Sequence, residues 1–411
     1  MSVSKTADTS ILHHINLDLY GGLQTHFLRF VKAAAMTHGV HNSAWLESPQ
    51  VHAEAGRSQG VSALRVMGSP KTLGRLKLPG WPPAIRRSRL EWIFKKSGAD
   101  LGLIWDGFNR SRVAHQFRDH GLHTVYWEHG ASWYSHHRAE KTSNFWNAID
   151  TVLCNSNAAR RMLELRWDCP LPVHVCLNGV ASDSRERPAL TRSAPVARRF
   201  RLGTAGHLRT YKGAHVAIKA LAALRGRGMD VELWLAGVGP KQAELEYFAE
   251  RLAVADFTKF CGFVSNMQHD FFDHIDIFVH PAMREAFGLV CAEAMLSGCP
   301  VVATRVDGLP EVVTHGKTGL CVSPDQPAAA LTSLGTTLED RVNCVYDPET
   351  DQVATPRFCD PDKIADAVES ILRKEASLET FSANAIEDAN TRLSFERHLE
   401  DAFHALNIAQ S

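Results

Sequence analysis

Residues 280–304 read HPAMREAFGLVCAEAMLSGCPVVAT, and the fold is read outward from them. A strand ends near His280 and a loop covers 281–286. Phe287 and Gly288 then open a helix that stops at Ser297 and Gly298, with Pro300 beyond it. The apolar run at 300–304 predicts a further strand. Glu285 and Glu293 are eight residues apart, which on one continuous helix leaves them ~80° apart. Glu285 is therefore expected in the loop and Glu293 on the second turn, both facing one ligand along the helix N-terminus. The N–H groups of Phe287, Gly288 and Leu289 suit a phosphate there, and Gly288 allows close backbone approach. Two carboxylates repel a phosphate, so they fit better as acceptors from sugar hydroxyls. Taken alone, Glu285 reads equally well as a solvated loop carboxylate and Glu293 as an ordinary helix-surface charge.

The alternation continues on both sides. Strands are expected at 11–19, 62–67, 100–105, 124–128, 151–154 and 173–177, and again at 200–205, 231–235, 257–261, 275–279 and 320–322. Helices are expected at 23–37, 158–166, 214–225 and 240–252. The stretch 181–199, ASDSRERPALTRSAPVARR, lacks apolar periodicity and reads as a linker. Residues 324–358, punctuated by Pro324, Pro327, Pro348 and Pro356, read as a surface insertion outside any sheet. Residues 361–406 read as two helices broken near 377–380. No repeat of 20–50 residues is visible. The expected fold class is α/β, with two doubly wound, parallel-sheet, Rossmann-like domains facing a central cleft. They span 1–185 and 200–375, the latter holding the insertion, and a helical tail, 376–411, packs back on the first.

Composition narrows the function classes. The 411 residues carry 45 Lys plus Arg and 45 Asp plus Glu, a formal net charge of zero, which argues against a nucleic-acid binder. Residues 1–200 hold 26 basic and 15 acidic side chains, and residues 201–411 hold 19 and 30, so the two halves face different partners. The nine cysteines form no C-x-x-C and sit mostly in apolar runs, which reads as buried thiols in a reducing compartment. The opening MSVSKTADTS lacks the pattern of a signal peptide, and no apolar run reaches 18 residues, so a cytoplasmic protein is expected.

Three further segments point to a ligand. RLGTAGHLRTYKGAHVAIKAL runs from strand through loop to helix and gathers Gly206, His207, Arg209, Lys212 and Gly213 at the strand's carboxyl end. Lys212 and Arg209 there neutralise a diphosphate, although a solvated basic loop gives the same pattern. Gly21 and Gly22, in LDLYGGLQTHF, follow the first strand and open a helix. LAGVGPKQ has two glycines of a dinucleotide fingerprint and lacks the third, which disfavours a nicotinamide dehydrogenase.

Together these segments resemble the retaining glycosyltransferases of family 4 (glycosyl transferase group 1), which have the GT-B fold. The likeness runs through the glycine pair, WEHG, VLCNSNAARRML, LNGV, GHLRTYKG, LAGVGP, CGFV, E-x7-E and GLPEVVTHGKTGL, covering most of the chain. It implies an acceptor-binding first domain and a nucleotide-sugar-binding second one. It implies that Glu285 contacts donor-sugar hydroxyls near the reacting carbon, Glu293 the ribose and Lys212 the diphosphate. Backbone at Phe287, Gly288 and Leu289 holds sugar and phosphate, and His129 reaches the donor sugar from the first domain. Gly21, Gly22, Gly206, His207, Arg209, Phe263 and Val264 complete the donor site. One departure is His207, where the family usually has Arg; the insertion 324–358 is another.

The implied reaction moves a hexose-type sugar from a UDP- or GDP-sugar to a hydroxyl of a saccharide acceptor, with retention. Polysaccharide biosynthesis, in the form of lipopolysaccharide, exopolysaccharide or glycolipid, is the expected setting. No metal or cofactor is expected, since Lys212, Arg209 and the helix N-terminus meet the diphosphate charge, and Asp273 and Asp276 read as structural. The alternatives are a GT-B protein of another class, an epimerase or phosphorylase, or a non-catalytic partner subunit. Residues 71–96, KTLGRLKLPGWPPAIRRSRLEWIFKK, hold eight basic and one acidic side chain among Trp81, Leu90, Trp92, Ile93 and Phe94. That mixture suits an anionic membrane surface, hence a peripheral position at the inner face and a lipid-linked saccharide acceptor; a solvated helix with core-facing aromatics reads equally well.

Overall fold

The structure, a computed structural model, describes residues 9–18, 21–46, 48, 50–68, 72–73, 76–77, 82–105, 107–134, 142–181, 190–193, 198–339, 342–373 and 375–408. Short apolar runs make its strands, and the helices between them return the chain to the same edge, so both large sheets are parallel. The first has seven strands in the order Leu64–Gly68, His41–Leu46, Ser10–Ile15, Leu101–Trp105, His123–Glu128, Thr151–Cys154, Val173–Val175. The second has six, in the order Thr258–Gly262, Val231–Ala236, Phe200–Ala205, Ile277–His280, Val301–Thr304, Gly319–Val322. Each reverses direction between its first and fourth strands, the place where open α/β sheets bind ligands.

Several expectations change. The strand His41–Leu46 was not expected, and the strand expected at 62–67 begins later, because Gln59–Ser62 is a helical turn. The segment read as a linker is packed at 190–193. Arg192 is buried, and its Nη2 donates to the carbonyls of Phe272 and Ser297 at 2.7 and 2.9 Å; residues 182–189 and 194–197 lie outside the described residues. The tail forms three helices, Pro361–Leu372, Glu375–Thr391 and Phe395–Ala405. Ser394 caps the last, its hydroxyl accepting from Arg397 N. The insertion forms an antiparallel hairpin, Val345–Asp347 with Gln352–Ala354, that joins neither large sheet. It is no mere surface feature, since Val345 and Tyr346 are buried.

The expected tail divides between the domains. Glu375–Thr391 packs on the helix Leu289–Leu296 of the second domain. Phe395–Ala405 enters the first, where Phe395, Leu399 and Phe403 share one core with Phe27, Phe30, Trp105 and Trp127. Each such large side chain contributes roughly 1.5–3 kcal/mol by burial. The two chain crossings are tied: Val180 N donates to Leu393 O at 2.8 Å and Phe395 N to Val180 O at 3.0 Å. All nine cysteines are free thiols. No described helix is long and apolar enough to cross a membrane.

The seam between the final helix and the first domain is built of histidines. His398 Nε2 lies 2.9 Å from His26 Nε2, and His398 Nδ1 lies 2.7 Å from Leu177 O. Burial pushes His13 and His398 down to about 4, and His129 down to about 3 with help from His398. Burial, with His398, His129 and Arg29 behind it, holds His26 well below its ordinary value of 6.5. The unfolded chain takes up these protons near 6.5 and the folded chain does not, so stability present above that pH is lost as pH falls below it. The melting temperature is expected to drop by more than about 5 °C between pH 7 and pH 5; a flat profile across that interval in differential scanning calorimetry contradicts it.

Candidate functional site

The loops after the first and fourth strands of the second sheet meet edge to edge. Gly213, at φ +79°, makes the approach possible, because a Cβ there would stand 2.0 Å from Pro281 O. Met283 N donates to Tyr211 O at 2.8 Å. This contact brings Lys212 Nζ to 2.6 Å from Glu285 Oε2. His280, at the end of its strand, puts Nε2 3.1 Å from the same oxygen. Burial opposes the Glu285 charge, but the Lys212 ammonium and His280 outweigh it and hold the carboxyl well below the usual range. Burial likewise opposes the Lys212 charge, and Glu285 outweighs it, so the lysine pKa rises. Both groups are ionised at neutral pH.

Glu285 lies in the loop and Glu293 on the second turn of the helix Leu289–Leu296, with Gly288 at φ +100° before it and Phe287 buried. As opening residues of that helix, Leu289 and its neighbour carry N–H groups without intrahelical acceptors. Glu293 pairs across the cleft with Arg29 at 3.4 Å, on the helix Gly22–His38 of the first domain. Between the two helices lies a cavity of about 530 Å³, lined by Gly22, Thr25, Arg29, Phe263, Val264, Asn266, Leu289 and Glu293, among others. Five of the expected site residues, Gly22, Phe263, Val264, Leu289 and Glu293, therefore share one wall-to-wall space.

His129 follows the strand His123–Glu128 of the first domain. Its ring stacks on Trp105 at 5.3 Å, and its Nε2 is shielded from solvent without a protein partner. The backbone around it is held by Glu128, a buried carboxylate accepting from Gly130 N and Ser132 N at 2.6 and 3.0 Å. Arg284 Nη2 donates to Gly130 O at 2.7 Å, so the His129 turn abuts the Glu285 loop. Gly206 and His207 are exposed and Arg209 half-buried, in the same loop as Lys212; Gly21 is exposed before the first helix. These four do not line the cavity.

Sequence reasoning missed His280, Arg29, Arg284 and Asp307. His280 carried a signal, as the last residue of a strand five positions before a candidate acid. Arg29 meets Glu293 across 264 residues of chain, and no local pattern marks it. Asp276 is structural, as read, since both its oxygens accept from Arg198 at 2.7 Å. Among the described residues, no group of three or more His, Cys, Asp or Glu side chains is placed to hold a metal ion.

Residues 192–354 match the family model described as glycosyl transferases group 1. A D-inositol 3-phosphate glycosyltransferase of Pseudarthrobacter chlorophenolicus is 39% identical over 129 residues, 30% of each chain. A glycogen synthase of Mycobacterium tuberculosis is 35% identical over 195 residues, 46% of this chain and 45% of that one. The chain thus spans less than half the length of these curated relatives. Among solved structures, Anabaena Alr3699/HepE in complex with UDP and glucose superposes with a TM-score of 0.70 at 18% identity, covering 97% of this chain and 100% of that one. WaaG, a glycosyltransferase involved in lipopolysaccharide biosynthesis, gives 0.63 at 16% identity over 98% and 100%. At these identities the likeness is one of fold, two facing Rossmann-like domains in the GT-B arrangement.

Gly308 tests how tightly the Glu285 loop is seated. Its N–H donates to Glu285 O at 3.1 Å, and a Cβ there would stand 2.2 Å from Ala286 O. Gly308→Ala is expected to cost about 1–3 kcal/mol in urea unfolding, whereas Gly56→Ala, which meets nothing within 4 Å, is expected to change stability by less than about 1 kcal/mol. Equal effects of the two contradict the packing described.

Proposed function

We propose that the chain is a retaining hexosyltransferase, a reading supported by the match of residues 192–354 to the glycosyl transferases group 1 model and by the GT-B-like fold. It uses a UDP- or GDP-sugar as donor and a saccharide hydroxyl as acceptor. The observation that carries this reading is the Lys212–Glu285 pair, 2.6 Å apart at the switch point and close to the open cavity beside Glu293. The cavity has the size of a nucleotide-type ligand. Glu293 and Arg29 suit a ribose, and Phe263 and Val264 suit a base.

The chemistry follows from the charges. The bond from the anomeric carbon to the donor diphosphate breaks and a bond to the acceptor oxygen forms on the same face. The acceptor proton passes to an oxygen of the leaving diphosphate. Lys212, Arg209 and the N-terminus of the helix Leu289–Leu296 meet the charge that grows on the diphosphate, with no metal assigned a role. Glu285, held ionised, accepts hydrogen bonds from sugar hydroxyls; its pairing with Lys212 and His280 makes it a poor nucleophile. The unpartnered Nε2 of His129 suits a hydroxyl of the same sugar.

Incubation with UDP- and GDP-hexoses and saccharide acceptors, with product anomers read by NMR, tests the reaction. Retained configuration is expected, and Lys212→Ala is expected to lower transfer by about 10²-fold or more. Near-normal transfer by the folded variant, donor epimerisation without acceptor, or a strict need for inorganic phosphate overturns the reading. UDP or GDP at about 100 times its Kd stabilises the fold by about 2.7 kcal/mol, which a thermal-shift panel detects.

The same reading puts the chain on the inner face of the cytoplasmic membrane, in lipopolysaccharide, exopolysaccharide or glycolipid synthesis. Its support is the helix Pro83–Ser97, which buries Leu90, Ile93 and Phe94 and exposes Ile85 and Trp92 beside Arg87, Lys95 and Lys96. Trp81 and residues 71, 74–75 and 78–80 lie outside the described residues. Sedimentation with phosphatidylglycerol-containing vesicles at low salt is expected, weakened by the double change Lys95→Glu, Lys96→Glu. No binding to such vesicles removes the membrane from the proposal.

A further inference from the structure

Asp307 is a buried carboxylate to which the chemistry above gives no task. It is 1% exposed and follows the strand Val301–Thr304 at φ +48°, a backbone region that favours glycine. Three N–H groups from three distant elements converge on it. Oδ1 accepts from Trp133 Nε1 of the first domain at 2.9 Å and from Tyr346 N of the inserted hairpin at 2.6 Å. Oδ2 accepts from Glu285 N at 2.9 Å. Asp307 N in turn donates to Tyr346 O at 3.0 Å.

The hairpin that supplies Tyr346 is itself anchored on the first domain. Arg161, on the helix Asn157–Trp167, makes a two-pronged contact with Asp351, 2.8 Å on each side. Tyr346 OH donates to the same carboxylate at 2.8 Å. Arg166 Nη1 donates to Trp133 O at 2.7 Å and lies 2.7 Å from Cys344 Sγ. Cys344 and Tyr346 share a core with Trp133, Ala158 and Met162. The insertion therefore touches both domains, and Asp307 sits where it meets them.

Such a carboxylate carries two costs, desolvation and a left-handed backbone, and glycine would avoid both. What aspartate alone supplies is an acceptor for all three donors. We infer that Asp307 is a positioning residue: with the inserted hairpin it clamps the backbone of Glu285 to the first domain, fixing the height of the Glu285 carboxylate across from His129. This rests on the reading of Glu285 as the donor-sugar contact. Burial, opposed by the three N–H groups, raises the Asp307 pKa to about 6, which agrees with a site whose donors replace solvent only in part. Glu311, four residues on, makes the neighbouring inter-domain contact by capping the helix Asn157–Trp167 through Asn157 N and Ala158 N at 2.6 and 2.7 Å.

Asp307→Asn separates the clamp from simple packing. The amide oxygen keeps Trp133 and Tyr346, and the amide NH2 then faces Glu285 N, donor against donor. Hydrogen exchange in the full chain is expected to rise at least about tenfold at residues 281–288 and to stay within about twofold at 206–213. Turnover is expected to fall about tenfold or more, with UDP or GDP affinity within about threefold of the parent. Trp133→Phe, which removes one donor and keeps an aromatic side chain, though a smaller one, is expected to lower turnover less and to add nothing further to exchange at 281–288 in the Asp307→Asn background. Unchanged exchange at 281–288, or raised exchange with full turnover, overturns the clamp; so does a parallel loss of turnover, nucleotide affinity and melting temperature. A parent protein that transfers no sugar refutes the glycosyltransferase reading instead, and the exchange measurement still decides the clamp.

Discussion

A single half-buried ion pair, Lys212 with Glu285, organises the cleft. Either charge alone in that place is costly, because few waters reach it. Together, with His280 on the shared oxygen, they hold each other ionised. The pair exists only because two loops from strands that are neighbours in the sheet but distant in sequence touch, and they touch only because Gly213 leaves room for the Pro281 carbonyl. Strand order, one glycine and two charges are thus one constraint seen at three scales. A negatively charged ligand entering beside Lys212 exchanges one anion for another at the ammonium, while Glu285 keeps His280.

Much of the alternating architecture is legible in the chain itself. Strands such as Leu101–Trp105 and Val301–Thr304 are buried along their whole length, so they read as short unbroken apolar runs. The strand His41–Leu46 escapes the same reading because its buried Asn42 and Ser43 break the run. Asn42 is tolerated there because His13 Nε2 lies 2.9 Å from its carbonyl oxygen and its amide donates to Val40 O at 3.0 Å. Hydrophobic patterning cannot see a polar residue satisfied by a distant side chain. The tail splits at Ser394, whose hydroxyl caps the helix Phe395–Ala405, and not at 377–380, where the helix Glu375–Thr391 runs through.

The candidate site divides in the same way. Glu285, Glu293 and the glycine before them stand close in sequence, so spacing alone places them on a loop and a second turn. Lys212 and its glycine were readable as a basic loop, yet the pairing of that lysine with that acid was not. Asp307, Arg29 and Trp133 act through partners more than 150 residues away or through backbone atoms, and neither leaves a local trace. The insertion looked peripheral because proline punctuation reports local irregularity and says nothing about what an irregular segment touches.

The return of Phe395–Ala405 to the first domain has a consequence for biogenesis. The core around Phe30 and Trp127 lacks its covering helix until residues 395–405 have left the ribosome, long after its own strands. Of the two domains, the one synthesised earlier is therefore finished later, and while the second sheet is being made its aromatic face is open to solvent and to chaperones. Cutting the gene between the two sheets yields one piece missing a wall and another carrying a surplus amphipathic helix, so the two halves are inseparable as independently folding parts.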